Sequence, residues 1–183
     1  MNNMHRFVCL LSILAYGSFT AIAQQATAPK AGKKQNKITA QEQAIQSIRA
    51  SYQRINAMPL QNELFRYEAE ACVEDGVVTY FRKDGAIVKI TESGSIGDGS
   101  WVNEYYFQKG KPIFCYEVSI GGPAIGAVTR IERISYIAQD TLFRYMVDQQ
   151  ITSPDAKAKA IIQTAYQLLA AYETKAFAAA LCE

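Results

Sequence analysis

Histidine is almost missing from this chain: of 183 residues, His5 alone carries an imidazole. Any form that loses the N-terminal segment has none. That closes Ser, Cys or Thr nucleophiles activated by histidine, histidine general bases near neutral pH, and His-containing zinc sites. Cysteine is sparse as well. Cys9, Cys72, Cys115 and Cys182 lie tens of residues apart, a spacing that fits neither a C-x-x-C redox pair nor a four-ligand zinc ribbon. No metal site and no cofactor are therefore expected. Charge of one sign is not in excess, with 19 Lys and Arg against 17 Asp and Glu, so the basic stripe that nucleic acid binding requires is absent. Nor does any apolar run reach the roughly 20 residues of a membrane-spanning helix.

What is present begins with three zones of an export signal over residues 1–23. A positive start with His5 and Arg6 precedes a ten-residue apolar run, Phe7–Tyr16, and Ala21-Ile22-Ala23 sets small side chains at the cleavage positions. Cleavage near Ala23 places the mature protein in the periplasm or the extracellular medium, with no stable membrane span. The cut removes His5, Cys9 and Arg6, which leaves 18 basic residues against 17 acidic ones. An oxidising compartment then permits one disulfide among Cys72, Cys115 and Cys182, plus one leftover thiol. The sequence does not say which pair forms. Residues 24–38, with Lys30, Lys33, Lys34 and Lys37 and little apolar bulk, read as a flexible basic linker. Residues 39–183 are long enough for a single domain with its own core.

The domain opens and closes with helices. Thr39 and Glu42 have capping-box spacing, and Ile45, Ile48, Tyr52 and Ile55 form one apolar stripe before Pro59 stops the helix. At the other end, Ser153-Pro154-Asp155 predicts an N-cap, with Ile161, Ile162, Ala165, Leu168, Leu169 and Tyr172 as the buried face. Between them the hydrophobic period becomes two. Strands are predicted near Leu64–Val73, Val77–Arg82, Ala86–Thr91, Ser100–Gln108, Pro112–Ser119, Thr129–Ala138 and Thr141–Val147. Turns at Glu74-Asp75-Gly76, Lys83-Asp84-Gly85, Lys109-Gly110-Lys111 and Gln139-Asp140-Thr141 are short enough for hairpins. The fold class is thus α+β: an N-terminal helix, an antiparallel meander of about six or seven strands, and a C-terminal helix packed on one sheet face. Both helices are expected to share that face, leaving a cleft on the other side. Two longer loops, Ser93–Gly99 and Gly121–Gly126, lead into strands rather than helices, so they lack the setting of a phosphate loop.

One hairpin pattern recurs. Tyr80-Phe81-Arg82-Lys83-Asp84-Gly85-Ala86-Ile87-Val88 aligns with the segments starting at Tyr106 and Tyr136, at offsets of 26 and 30 residues. The aromatic pair, polar turn and Gly-Lys form resembles the hairpins of MORN-type repeats, which implies a scaffold or interaction surface. The Tyr67 to Cys72 strand with its following hairpins resembles small periplasmic lysozyme inhibitors, though no inhibitory loop motif carries over.

Candidate site residues follow from aromatic and acidic side chains in the meander. Asp98 beside Trp101, Tyr105 and Tyr106, with Glu104 and Glu117 nearby, suits a sugar or peptide ligand, because aromatic faces with a neighbouring acid make such contacts. The expected function is noncatalytic: an exported protein that binds a protein, peptide or lipid-like ligand. An inhibitor of a secreted or cell-wall-degrading enzyme is one alternative. A carboxylate-based hydrolase is another, and needs two of Glu68, Glu104, Glu117 and Glu132 in one cleft.

Overall fold

A computed structural model describes residues 39–122 and 125–182. The signal peptide and linker expectations lie outside these residues, as does the 123–124 part of the second long loop. The chain runs α1 (Ala40–Ala57), β1 (Gln61–Ala69), β2 (Val73–Lys83), β3 (Ala86–Ile96), β4 (Gly99–Gln108), β5 (Lys111–Gly121), β6 (Thr129–Ala138), β7 (Thr141–Val147), β8 (Gln150–Ile151), α2 (Ala156–Thr174) and α3 (Phe177–Leu181). All eight strands pair antiparallel with their sequence neighbours in one sheet. The meander is as expected, and the strand beyond the predicted seven is the two-residue β8.

Local chemistry accounts for the joints. Thr39 accepts from the Glu42 backbone N–H at 3.2 Å to start α1. Asp155, two residues later than the predicted Ser153, caps α2 by accepting from the Ala158 N–H at 2.8 Å. Asp84-Gly85, Lys109-Gly110, Gln139-Asp140 and Asp148-Gln149 all have both residues at positive φ, the two-residue turn whose twist matches the flanking strands.

Three of these hairpins also carry a register shift at the same place. The pairing skips Val88 after β2, Ile113 after β4 and Phe143 after β6. All three skipped residues pack beneath α1, so the bulges fit the sheet to the helix that crosses it. The repeat is real, but its first offset is 25 rather than 26, since Gly85 matches Gly110 and Tyr80 matches Tyr105. A one-residue slip matters in a strand, because it exchanges the faces.

The helices do not share a face. Ile45, Ile48 and Ile55 of α1 bury Tyr106, Phe114 and Tyr136. Ile161, Ala165 and Leu168 of α2, with Phe177 of α3, bury Val78, Tyr80, Ile90, Tyr105, Phe107 and Ile137 on the other side. Successive side chains on a strand point to opposite faces. The consecutive aromatics Tyr105-Tyr106-Phe107 therefore make both faces apolar, and each needs its own cover.

Two predicted breaks are strand interior instead. The chain turns at Glu70–Cys72, and Gly76 lies within β2; β3 continues through Gly94 to Ile96, leaving only Gly97-Asp98 as the turn. These glycines serve close approach. A Cβ at Gly76 would strike the Tyr67 ring, and one at Gly94 would lie 2.5 Å from the Trp101 ring.

Candidate functional site

The two aromatic rings laid over glycine lead directly to the most unusual group in the molecule. Tyr67 pairs with Gly76, and Gly94 with Trp101, across neighbouring strands. With no Cβ beneath them, both rings reach along the sheet toward Glu92, which sits on the α2 face of β3. Glu92 Oε1 accepts from the Tyr67 hydroxyl at 2.9 Å and from Trp101 Nε1 at 2.8 Å, and Oε2 accepts from Asn103 Nδ2 at 2.7 Å. The carboxylate is only 2% exposed.

Glu92 belongs to a polar row. The register sets Glu92 opposite Asn103, Asn103 opposite Glu117, and Glu117 opposite Arg133, so these side chains share one face across β3 to β6. Glu117 is 1% exposed and has Lys157 Nζ, from the first turn of α2, at 2.9 Å from Oε1. That contact is a point charge beside a carboxylate rather than an aligned hydrogen bond, since neither Glu117 oxygen has a hydrogen-bond partner. Asn103 Oδ1 and Ser135 Oγ are likewise buried without partners. Burial of this kind costs roughly 1–3 kcal/mol per orphaned group.

Between the row and α2 lies a cavity of about 270 Å³. Glu92, Asn103 and Tyr105 line it from the sheet, Tyr67 and Trp101 flank them, and Lys157, Ile161 and Thr164 line it from α2. Cys72 and Leu181 complete the lining, and the Cys72–Cys182 disulfide ties the β1–β2 turn to the end of α3 beside it. Among the described residues Cys115 is a buried free thiol.

Electrostatics follow from burial. Loss of solvent pushes the Glu92 carboxyl above the usual range, against the downward pull of Trp101, Tyr67, Asn103 and Lys157. Burial also raises the Tyr67 and Tyr105 hydroxyls. Tyr67 thereby remains a proton donor to Glu92.

The six predicted site residues divide among three places. Trp101, Tyr105 and Glu117 lie on the α2 face, with Trp101 and Tyr105 in the cavity and Glu117 beside it. Glu104 and Tyr106 bond to each other on the α1 face, and Asp98 is exposed in the β3–β4 turn. Of the four acids considered for hydrolysis, Glu68 is exposed on β1, while Glu104 and Glu132 lie on the face opposite Glu117. Sequence reasoning missed Tyr67, Glu92, Asn103 and Lys157. Glu92 had a readable signal: extending the alternation Ile90, Glu92, Gly94 past the supposed strand end puts an acid on the apolar face.

Among the described residues no group of three or more His, Cys, Asp and Glu side chains is arranged to hold a metal, and no helix is long and apolar enough to cross a membrane. The chain matches no protein family, no curated protein and no solved structure.

Proposed function

We propose that this is an exported, noncatalytic binding protein whose ligand occupies the cavity between β3–β4 and α2. The observation that carries the reading is the arrangement around Glu92. A buried carboxylate oriented by three donors, with aromatic rings on either side and an unpartnered amide oxygen next to it, is a small set of fixed polar groups in a concave space, which is how specific ligand sites are built. The volume suits a small molecule or the end of a peptide better than a lipid chain or a protein surface. Export is supported by the N-terminal signal zones and by a disulfide, which persists in oxidising compartments.

Native mass spectrometry of the protein taken gently from its host's envelope fraction tests this. A bound small molecule or peptide that is lost in Trp101→Ala supports the reading, while a stoichiometric protein partner retained by that variant would replace it with an adaptor or inhibitor role.

One observation favours a hydrolase as the second reading. Glu92 and Glu117 are two buried carboxylates on one sheet face, flanking Asn103 across neighbouring strands, and a pair of carboxylates is what acid–base hydrolysis of glycosides uses. However, Glu92 already accepts three hydrogen bonds, which hold it as an acceptor and oppose a role as proton donor. Turnover of glycoside or ester substrates that disappears in both Glu92→Gln and Glu117→Gln would favour the enzyme.

A further inference from the structure

Resting on the reading of this cavity as a binding site, we propose that it recognises a primary ammonium group, carried by a small amine or by the N-terminus of a peptide. Glu92 and Asn103 act as acceptors, with Tyr67, Trp101 and Tyr105 as the aromatic surround.

The unused capacity of the site is acceptor capacity. An ionised carboxylate offers about four lone-pair positions, and Glu92 uses three. Asn103 is 6% exposed, lines the cavity, and has Oδ1 without a partner. Anionic ligands would meet a buried negative charge there, whereas N–H donors would meet two acceptors.

Charge sharpens the choice from donor to cation. Lys157 is engaged by Glu117 at 2.9 Å, and among the described residues no Lys or Arg nitrogen lies within 4.0 Å of Glu92. Two buried carboxylates, Glu92 and Glu117, thus share the one lysine that lines the cavity, Lys157, which is in contact with Glu117 and acts on Glu92 only from a distance; an incoming cation that makes up the missing positive charge is correspondingly favoured. A divalent metal would find one carboxylate and one amide oxygen here, with no group of three or more His, Cys, Asp or Glu side chains arranged around it among the described residues, and would have to take its remaining ligands from water. A primary ammonium meets these two acceptors with two of its three N–H donors, and its charge gains from the neighbouring aromatic rings.

The test uses the mature protein with its disulfide intact. Trp101 is the chain's one tryptophan, so its fluorescence reports on this cavity alone. The probes are n-butylammonium, its neutral isostere 1-butanol, triglycine, and N-acetyl-triglycine.

A saturable Trp101 response is expected with n-butylammonium or triglycine, at least about tenfold weaker with the neutral or acetylated counterpart, and weakened about tenfold or more by Glu92→Gln. Stronger binding of triglycine assigns a peptide N-terminus, and stronger binding of n-butylammonium a free amine. Because the neutral isosteres are compared on the unaltered protein, the result stands even if the variant folds poorly. Equal response to the charged and neutral probes overturns the inference. A co-purified ligand without a cationic nitrogen that moves Trp101 overturns it too, yet leaves the cavity as a binding site. No Trp101 response to any probe and no co-purified ligand removes both.

Discussion

The two faces of the sheet carry the same ingredients in different states. Beneath α1, Glu104 accepts from the Tyr106 hydroxyl and from Lys89 Nζ at 3.1 Å, and Asn56 Nδ2 donates to Tyr106 at 3.0 Å. Beneath α2, Glu92 accepts from a tyrosine, a tryptophan and an asparagine but has no ion pair within 4.0 Å among the described residues, Lys157 being in contact with Glu117 instead, and that asparagine has an idle oxygen. A closed network of charge and hydrogen bonds stabilises a fold, and an open one is a reservoir that something else can fill. On that contrast we read the α1 cluster as structure and propose the α2 cluster as the site.

The comparison can be broken most forcefully at the disulfide, which serves only the α2 side. It closes a separation of 110 residues, for which chain entropy gives about 4–5 kcal/mol. Cys182→Ser should lower urea-unfolding stability by about that amount and detach α3, exposing Phe177. An unchanged midpoint would mean that α3 docks without the bond.

Next in size is the ion pair beneath α1. Lys89→Met leaves Glu104 without its cation and should cost about 2 kcal/mol in chemical denaturation, less than the 3–5 kcal/mol of a fully buried pair because the two side chains are 12% and 22% exposed. Trp101 fluorescence, on the other face, should not move. A shift in it would show the two clusters to be coupled.

Gly94→Ala forces a methyl into the Trp101 ring. The expected cost is about 1–3 kcal/mol, together with a red shift of Trp101 emission as the ring leaves Glu92. Retention of the native emission would refute the glycine's role as the seat for that ring.

The smallest effect has the opposite sign. Burial raises Glu92 in the folded protein above its ordinary value of 4.5, so the folded state holds a proton more tightly than the unfolded one. Glu92 therefore costs nothing below about pH 4.5 and reduces stability as pH rises through its folded value. Glu92→Gln should be neutral or slightly stabilising at pH 7 and should flatten the loss between mildly acidic and neutral pH, whereas Glu104→Gln should destabilise at pH 7. A falling stability in both variants would erase the distinction between site and structure.

Much of the frame was legible because its causes are local. Capping at Thr39, the stripe Ile45, Ile48, Ile55, the turn pairs Asp84-Gly85 and Lys109-Gly110, and the meander order all arise from neighbours in the chain. The site was half legible. Trp101, Tyr105 and Glu117 carry visible aromatic or acidic signals, whereas Glu92 was hidden by a glycine that looks like a loop marker and acts as a packing gap. Adjacent aromatics such as Tyr105-Tyr106 were read as one cluster, although strand alternation sends them to opposite faces.

By itself, then, the sequence determined that there is little room for imidazole chemistry, that helices flank an antiparallel meander, and where its tight turns fall, since composition, period and turn residues act over a few positions. Only the tertiary structure decided which face each helix covers, which cysteines pair, and that Tyr67, Glu92, Trp101 and Asn103 meet around one cavity. Those outcomes depend on strand register and on contacts between residues far apart in the chain, where a shift of a single position exchanges the faces of the sheet.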